Sequence, residues 1–279
     1  ITEKVKLEEV MIQAEKMLSV GGLAAGTAHE INNPLAGILQ NIQVIENRMT
    51  MKDMPANMKA ARECGTSMDV IDAYIKARKI KELFRAVKDA GSRVARIVEN
   101  MLSFSRKSNS GFIECSLADI LNDTLDLAAS DYDLKKKYDF KNINIIKRFQ
   151  DNIPPVPCDP VKIQQVLFNV FKNGAQAMAL SPDTGHPPCF TITLKILEKP
   201  WEIELSIEDN GPGMDEETRR HIFEPFFTTK PVGMGTGLGL SVSYFIITEN
   251  HGGSMTVTSV PGKGTKFVIR LPVNVKESI

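Results

Sequence analysis

His29 is followed directly by Glu30, and Asn33 stands about one helical turn further on, in Ala-His-Glu-Ile-Asn-Asn-Pro-Leu. An exposed imidazole beside a carboxylate can serve as a nucleophile, with the acid as base or orienter. Pro34, in mid-helix, removes one backbone hydrogen bond and favours a bend there. A solvated histidine on a charged helix face would be spelled the same way. A second group is Asn169-x-x-x-Asn173. Its i, i+4 spacing puts both amides on one helix face, with Val166, Leu167, Val170 and Phe171 mostly on the other. Oxygen ligands from one face suit Mg²⁺, which takes few protein groups alongside phosphates and waters. Two surface asparagines on a polar face are the plain alternative.

Two further groups are rich in glycine. Glu208-Asp209-Asn210-Gly211-Pro212-Gly213 ends a strand-like run. Asp209 can accept a hydrogen bond from an exocyclic amine, and Gly211 and Gly213 let backbone approach a flat ring; the same letters also make an ordinary turn. Gly233-Met234-Gly235-Thr236-Gly237-Leu238-Gly239-Leu240-Ser241 leads into a helix. Glycines ahead of a helix start expose amides to phosphate. The run has neither the Gly-Lys-Ser/Thr of a P-loop nor the third glycine of G-x-G-x-x-G, and a flexible loop is the alternative. Just upstream, Ile222-Phe223-Glu224-Pro225-Phe226-Phe227-Thr228-Thr229-Lys230 joins an aromatic patch to a lysine. The patch could anchor a lid over a phosphate met by Lys230, or could be a small core cluster with a surface lysine.

The elements that position these groups fall into two textures. Val10, Ala14, Met17, Gly21, Ala24, Ala28, Ile31, Leu35, Ile38, Ile42, Ile45 and Met49 alternate in steps of four and three, as do Ile80, Phe84, Val87, Gly91, Val94, Val98 and Met101. That is a seam of period 3.5, the mark of bundle packing. Two such helices make a hairpin, and a hairpin alone leaves part of its seam bare, so a four-helix bundle in a homodimer is expected. Residues 50–79 interrupt the hairpin: Met51–Cys64 reads as polar and broken by Pro55, and Thr66 or Ser67 as the cap of a following helix. Residues 105–116 read as a linker. Beyond it come a helix over 117–129 capped by Ser116, a strand over Ile143–Phe149, and a helix from Asp159-Pro160 to about Met178. Strands at Thr191–Leu197 and Glu202–Ile207 join around Pro200. Helical stretches follow near 215–222 and 239–250, then a hairpin of Ser254–Val260 and Thr265–Leu271. This order predicts a sheet covered by helices on one face, and hence an α plus α/β chain with domains at 1–108 and 109–279.

The 279 residues suffice for two domains. Apolar residues at 42% exclude a mainly disordered chain. Lys+Arg and Asp+Glu number 34 each, which argues against a nucleic-acid binder that works by bulk charge. Cys64, Cys115, Cys158 and Cys189 are scattered, with no C-x-x-C pair; this disfavours zinc or a disulfide framework and fits a cytoplasmic compartment. No apolar run is long enough for direct membrane insertion. A start at Ile1 suggests a fragment, which leaves membrane anchoring of a longer protein open.

In order and spacing the motifs closely resemble the transmitter region of bacterial-type sensor histidine kinases, over roughly residues 10–50, 80–105 and 115–273. His29-Glu30-Ile31-Asn32-Asn33-Pro34 resembles that family's H box and Asn169 to Asn173 its N box. Asp209-x-Gly211-x-Gly213 resembles the first glycine box, Phe223 to Phe227 the F box, and Gly235 to Gly239 the second glycine box. The resemblance implies a dimerisation and phosphotransfer hairpin followed by a two-layer ATP-binding α/β sandwich, a fold shared with gyrase, heat-shock chaperone and mismatch-repair ATPases. It implies that His29 accepts the γ-phosphoryl of ATP with Glu30 as base, and that Asn33 positions water for a reverse phosphatase reaction. It further implies that Asn173 holds Mg²⁺ with Asn169 close to the phosphates, and that Asp209 binds the adenine amino group beside Gly211 and Gly213. Lys230 and the amides of Gly235, Thr236, Gly237, Leu238, Gly239 and Leu240 would meet phosphates under the lid. The implied partners are a response-regulator receiver domain, which takes the phosphoryl group on an aspartate, and an upstream sensor domain outside this chain. Gly174 departs from the alanine of many members, at a helix-propensity cost of about 1 kcal/mol, and is expected to be tolerated. The 50–79 insertion leaves phosphorylation within or between protomers open. Asparagines rather than a glutamate in the N box speak against a hydrolysing ATPase, and intact Glu30, Asn173 and glycine boxes against a silent nucleotide-binding scaffold.

Overall fold

The structure, a computed structural model, describes residues 30–103, 111–131, 134, 138, 140–180, 186–199, 201–230 and 235–273. The seam positions from Val10 to Ala28, His29, linker residues 105–110, Pro200, Gly233 and Met234 lie outside the described residues. The described residues divide into two compact units, 30–103 and 111–273.

The first unit is helical: α1 over 30–50, α2 (Pro55–Glu63), α3 (Met68–Ala77) and α4 (Ile80–Ser103). Helices α1 and α4 form the long hairpin. Lys88 of α4 donates to Gln43 Oε1 at 2.7 Å and pairs with Glu46, both on α1. A Cβ at Gly91 would lie 2.6 Å from Leu39 Cδ2, so the glycine is what lets the two helices approach this closely. The seam splits into two stripes with a seven-residue repeat. Leu35, Ile42 and Met49 are half-buried, and Phe84, Gly91 and Val98 are buried, within the hairpin. Ile31, Ile38 and Ile45 on α1, with Val87 and Val94 on α4, remain exposed, Ile38 at 54%.

The stretch expected to be broken by Pro55 is instead helix α2, with the proline in its first turn. Proline starts a helix well, because its φ is already helical and the N–H it lacks would have no partner there. Asn57 fastens α2 to the end of α1, donating to Asn47 O at 3.0 Å and Met51 O at 2.9 Å. Ser67 caps α3, accepting from Val70 N–H at 3.4 Å. Buried Asp72 on α3 pairs with Lys76 at 2.9 Å, Lys52 at 3.0 Å and Lys81 at 3.6 Å. Bonds to Lys76 and Lys52 hold its carboxyl well below the usual carboxylate range. The insertion is thus a pair of short helices anchored to both arms of the hairpin.

The second unit contains β1 (Ile113–Cys115), α5 (Leu117–Ser130), a 3₁₀ turn at Phe140–Asn142, β2 (Asn144–Phe149), β3 (Val156–Cys158) and α6 (Pro160–Leu180). It continues with β4 (Cys189–Glu198), β5 (Trp201–Asp209), α7 (Glu216–His221), α8 (Gly239–Phe245) prolonged by a π-helical turn at Ile246–Asn250, β6 (Ser254–Val260) and β7 (Gly264–Pro272). The main sheet has the order β2-β4-β5-β7-β6, with β2 parallel to β4 and the other pairs antiparallel. Alternation along β5 explains the layering. Ile203, Leu205 and Ile207 are buried on one face, where Ile203 and Leu205 line a common space with Leu117 of α5 and Ile163 and Leu167 of α6. Glu204 points the other way, between Lys195 of β4 at 3.0 Å and Arg270 of β7 at 2.9 Å. The helices therefore cover one face of the sheet. The end of the expected linker is a strand: Ile113–Cys115 pairs antiparallel with Val156–Cys158 in a separate two-stranded sheet. Three residues are too few for a period to show.

Candidate functional site

Helix α6 starts where Asp159 Oδ1 accepts from Val161 N–H at 3.1 Å and Lys162 N–H at 3.3 Å. Val166, Leu167, Val170 and Phe171 face the sheet, which leaves Asn169 and Asn173 on the helix's other side. Asn169 Nδ2 donates to Gly239 O and Ser243 Oγ, each at 3.3 Å, and so ties α6 to the first turn of α8. Asn173 Oδ1 accepts from Lys230 Nζ at 2.8 Å, and the same ammonium also bonds Gln176 Oε1. Burial, with Lys172 nearby, pushes the Lys230 ammonium down to about 8. Lys230 is the last described residue before the glycine run, and a Cβ at Gly235 would lie 2.7 Å from Thr228 Oγ1 and 3.3 Å from Lys230 Cδ. The two asparagines, the lysine and the glycine segment thus converge on one place.

Asp209 ends β5 and is 5% exposed. Its Oδ1 accepts from Gly211 N–H at 3.0 Å and Thr265 N–H at 3.2 Å. Burial pushes its carboxyl up to about 6, against the pull of those two donors. A Cβ at Gly174 would stand 3.3 Å from Asp209 Oδ2 and only 2.5 Å from the Phe190 ring, so α6 passes directly over this carboxylate. Gly213 has φ +69°, and a Cβ there would meet Val260 O at 2.1 Å. Gly237 has φ +66°, and a Cβ there would meet Phe226 O at 2.5 Å. Both positions need glycine for conformation and for space. Leu238 is buried, its N–H donating to Thr236 Oγ1 at 3.4 Å, while Leu240 on α8 is half-buried.

Asn169, Asn173, Asp209, Gly211, Gly213, Lys230 and Gly235 to Leu240 all lie in the second unit. Glu30 and Asn33 are exposed on α1 of the first unit, and His29 is outside the described residues. Sequence reasoning missed Gln176 and Thr265, which hold Lys230 and Asp209, and Ser243, which holds Asn169. No residue type or spacing marks a neutral side chain whose role is to steady another. Among the described residues, no group of three or more His, Cys, Asp or Glu side chains could hold a metal ion. A metal in this site would rest on amide oxygen, waters and phosphates.

A family model described as histidine kinase-, DNA gyrase B-, and HSP90-like ATPase matches residues 158–275, and one described as the His Kinase A (phospho-acceptor) domain matches residues 19–110. The chain thus carries, in this order, the two domains of a two-component transmitter region. Among curated sensor kinases, sporulation kinase E of Bacillus subtilis (strain 168) is 32% identical over 98% of this chain and 31% of its own length. The histidine-protein kinase AtoS of Escherichia coli (strain K12) is 30% identical over 98% of this chain and 38% of its own length. The chain spans about a third of the length of these sensor kinases. The solved histidine kinase ThkA in complex with response regulator protein TrrA matches with a TM-score of 0.56 and 25% identity, over 98% of this chain and 68% of that one. Full-length ShkA in complex with AMPPNP matches in fold, with a TM-score of 0.63 and 20% identity over 90% of this chain and 45% of that one.

Proposed function

We propose that the chain is an ATP-dependent, autophosphorylating protein-histidine kinase whose phosphotransfer part comprises residues 1–108 and whose catalytic part comprises residues 109–279. The observation that carries this reading is the convergence of Asn169, Asn173, Lys230 and the glycine segment beside buried Asp209. Asp209 accepts a hydrogen bond from the adenine amino group, and the amides from Gly235 to Leu240, with Lys230, take the phosphates. Asn173 Oδ1 holds Mg²⁺, and the fit is supported by the ammonium cation that already rests on this oxygen. Bound there, Mg²⁺ supplies positive charge to the phosphates. An imidazole nitrogen of His29 attacks the γ-phosphorus as the bond to the β–γ bridging oxygen breaks and ADP leaves. Glu30 takes the imidazole proton, which keeps the attacking nitrogen's lone pair free. The phosphoryl group then passes to an aspartate of a response-regulator receiver domain, and Asn33 orients water for the reverse, phosphatase reaction.

The exposed stripe of Ile31, Ile38, Ile45, Val87 and Val94 supports a homodimer in which a second hairpin covers it. No helix among the described residues is long and apolar enough to cross a membrane, and we place this part of the protein in the cytoplasm, downstream of a sensor domain. A hydrolysing ATPase needs a carboxylate to activate water, and the 21 residues of α6 include no Asp or Glu. The deciding experiment is incubation with γ-labelled ATP and Mg²⁺, with His29→Gln in parallel. Acid-labile, alkali-stable label that disappears in the variant is expected. Label that survives the substitution, or none at all on protein that binds ATP, would overturn the reading.

A further inference from the structure

Phe112 lies immediately before β1, on the segment that leads into the second unit. Its ring stacks on that of His251, with centroids 4.9 Å apart and planes within 9°. Phe112 is 38% exposed, whereas His251 is 4% exposed. The histidine is held from behind by two bonds. Nδ1–H donates to Ile246 O at 2.7 Å, and Nε2 accepts from Asp159 N–H at 3.1 Å. A carbonyl can only accept and an amide N–H only donate, so these partners select one neutral tautomer. Burial, which pushes the imidazole below its ordinary pKa, keeps the ring neutral.

Each bond reaches a different helix of the nucleotide site. Asp159 caps α6, the helix of Asn169 and Asn173. Ile246 opens the π-helical turn that prolongs α8, the helix entered from the glycine run. Asn169 joins α6 to the start of α8, and His251 joins the start of α6 to the end of α8. π-Helical turns are uncommon and often mark functional positions; here the turn presents the Ile246 carbonyl to the ring. The strand that follows Phe112 needs outside support. β1 pairs with β3 at three positions only, one of them opposite Pro157, which has no N–H to give. An isolated two-stranded ladder of that size is marginal in water.

We infer that Phe112 and His251 form a latch coupling the docking of the entry segment to the spacing of the two nucleotide-bearing helices, with His251 as a positioning residue. The inference rests on the nucleotide site proposed above. In the docked state Phe112 lies on His251 and β1 is paired; in the other state β1 frays and the ring is bare. A nucleotide that clamps α6 against α8 fixes the gap between Asp159 N and Ile246 O that the imidazole spans, and so favours docking. Linkage requires docking to favour the nucleotide by the same factor.

The test measures hydrogen exchange at 113–115 and 156–158 in the whole chain, with and without MgADP, beside calorimetric MgADP binding. In the unaltered protein MgADP is expected to raise protection of these amides. Phe112→Ala, at an exposed ring, should abolish that gain and weaken MgADP binding about fivefold or more, and Phe112→Tyr should restore both. His251→Phe keeps a ring for stacking but removes both hydrogen bonds, so β1 should stay protected while losing its response to MgADP. Equal MgADP affinity in Phe112→Ala and the unaltered protein, or protection that ignores bound MgADP, overturns the latch and leaves the nucleotide site standing. Failure of the unaltered protein to bind MgADP overturns the site, and the latch with it.

Discussion

Asp209 is expected to make stability and nucleotide affinity respond to acid in opposite directions. Its carboxyl titrates at about 6 in the folded protein because burial outweighs the Gly211 and Thr265 donors, whereas an unfolded aspartate titrates near ~4. Between those values the folded state holds the proton more tightly than the unfolded state. The contribution to stability is therefore fully present below about pH 4 and lost as pH rises through 6. The bond to the adenine amino group proposed for Asp209 needs the ionised carboxylate, so on that proposal MgADP affinity should fall as pH drops through 6. Asp209→Asn should flatten both slopes and weaken MgADP roughly 10- to 100-fold near neutral pH, the ~1.5–3 kcal/mol of a hydrogen bond to a charged group. Calorimetry and thermal melts across pH 5–8 would check both slopes. At this scale residue type and spacing single out Asn169, Asn173, Asp209, Lys230 and the glycines as candidates, and the structure brings Asn173, Lys230 and Gly235 together and ties Asn169 to Gly239. Gln176 and His251 are not singled out, because an amide or an imidazole bonded to backbone or to a lysine looks like any other buried polar residue.

Among elements, the contact of α6 with β4 turns on Gly174. Its missing Cβ is the space occupied by Phe190, which packs edge-on against Phe171 with centroids 5.4 Å apart. The helix-propensity cost of glycine is thus offset by room for an aromatic in the core. Gly174→Ala should destabilise this unit by ~1–3 kcal/mol through overpacking. Phe190→Leu should lose packing alone, and the double variant should be more stable than the sum of the two implies. Trp201 on β5 is the protein's one tryptophan, so its fluorescence in a urea titration reports this unit selectively. Long helices and strands were readable because their periods run over many residues, and Ser67, Ser116 and Asp215 all cap helices as their residue types suggest. β1 and β3 were hidden by their length. Helix α2 is hidden because a proline that breaks a helix and one that opens its first turn look the same in the sequence.

For the whole molecule, the bare stripe repeating at Ile31, Ile38 and Ile45 predicts the association state. Ile38→Lys should convert the dimer to monomer in sedimentation while leaving MgADP affinity unchanged, since that binding is assigned to the other unit. The opposite result, a monomer without the substitution, would remove the basis for the four-helix bundle. The heptads foretold the stripe, but the division of seam positions between the hairpin's own interior and a second copy emerged only from packing. Strand order has a consequence for synthesis. β7, the last strand described, lies between β5 and β6, with Ile269 opposite both Leu205 and Met255. A ribosome finishing β5 leaves one of its edges open until the residues from Gly264 to Pro272 have emerged. Helices α1 and α4 need only each other and contacts close in sequence, which form early. Because the hairpin precedes the nucleotide unit, two nascent chains can join through their hairpins before either nucleotide unit is complete.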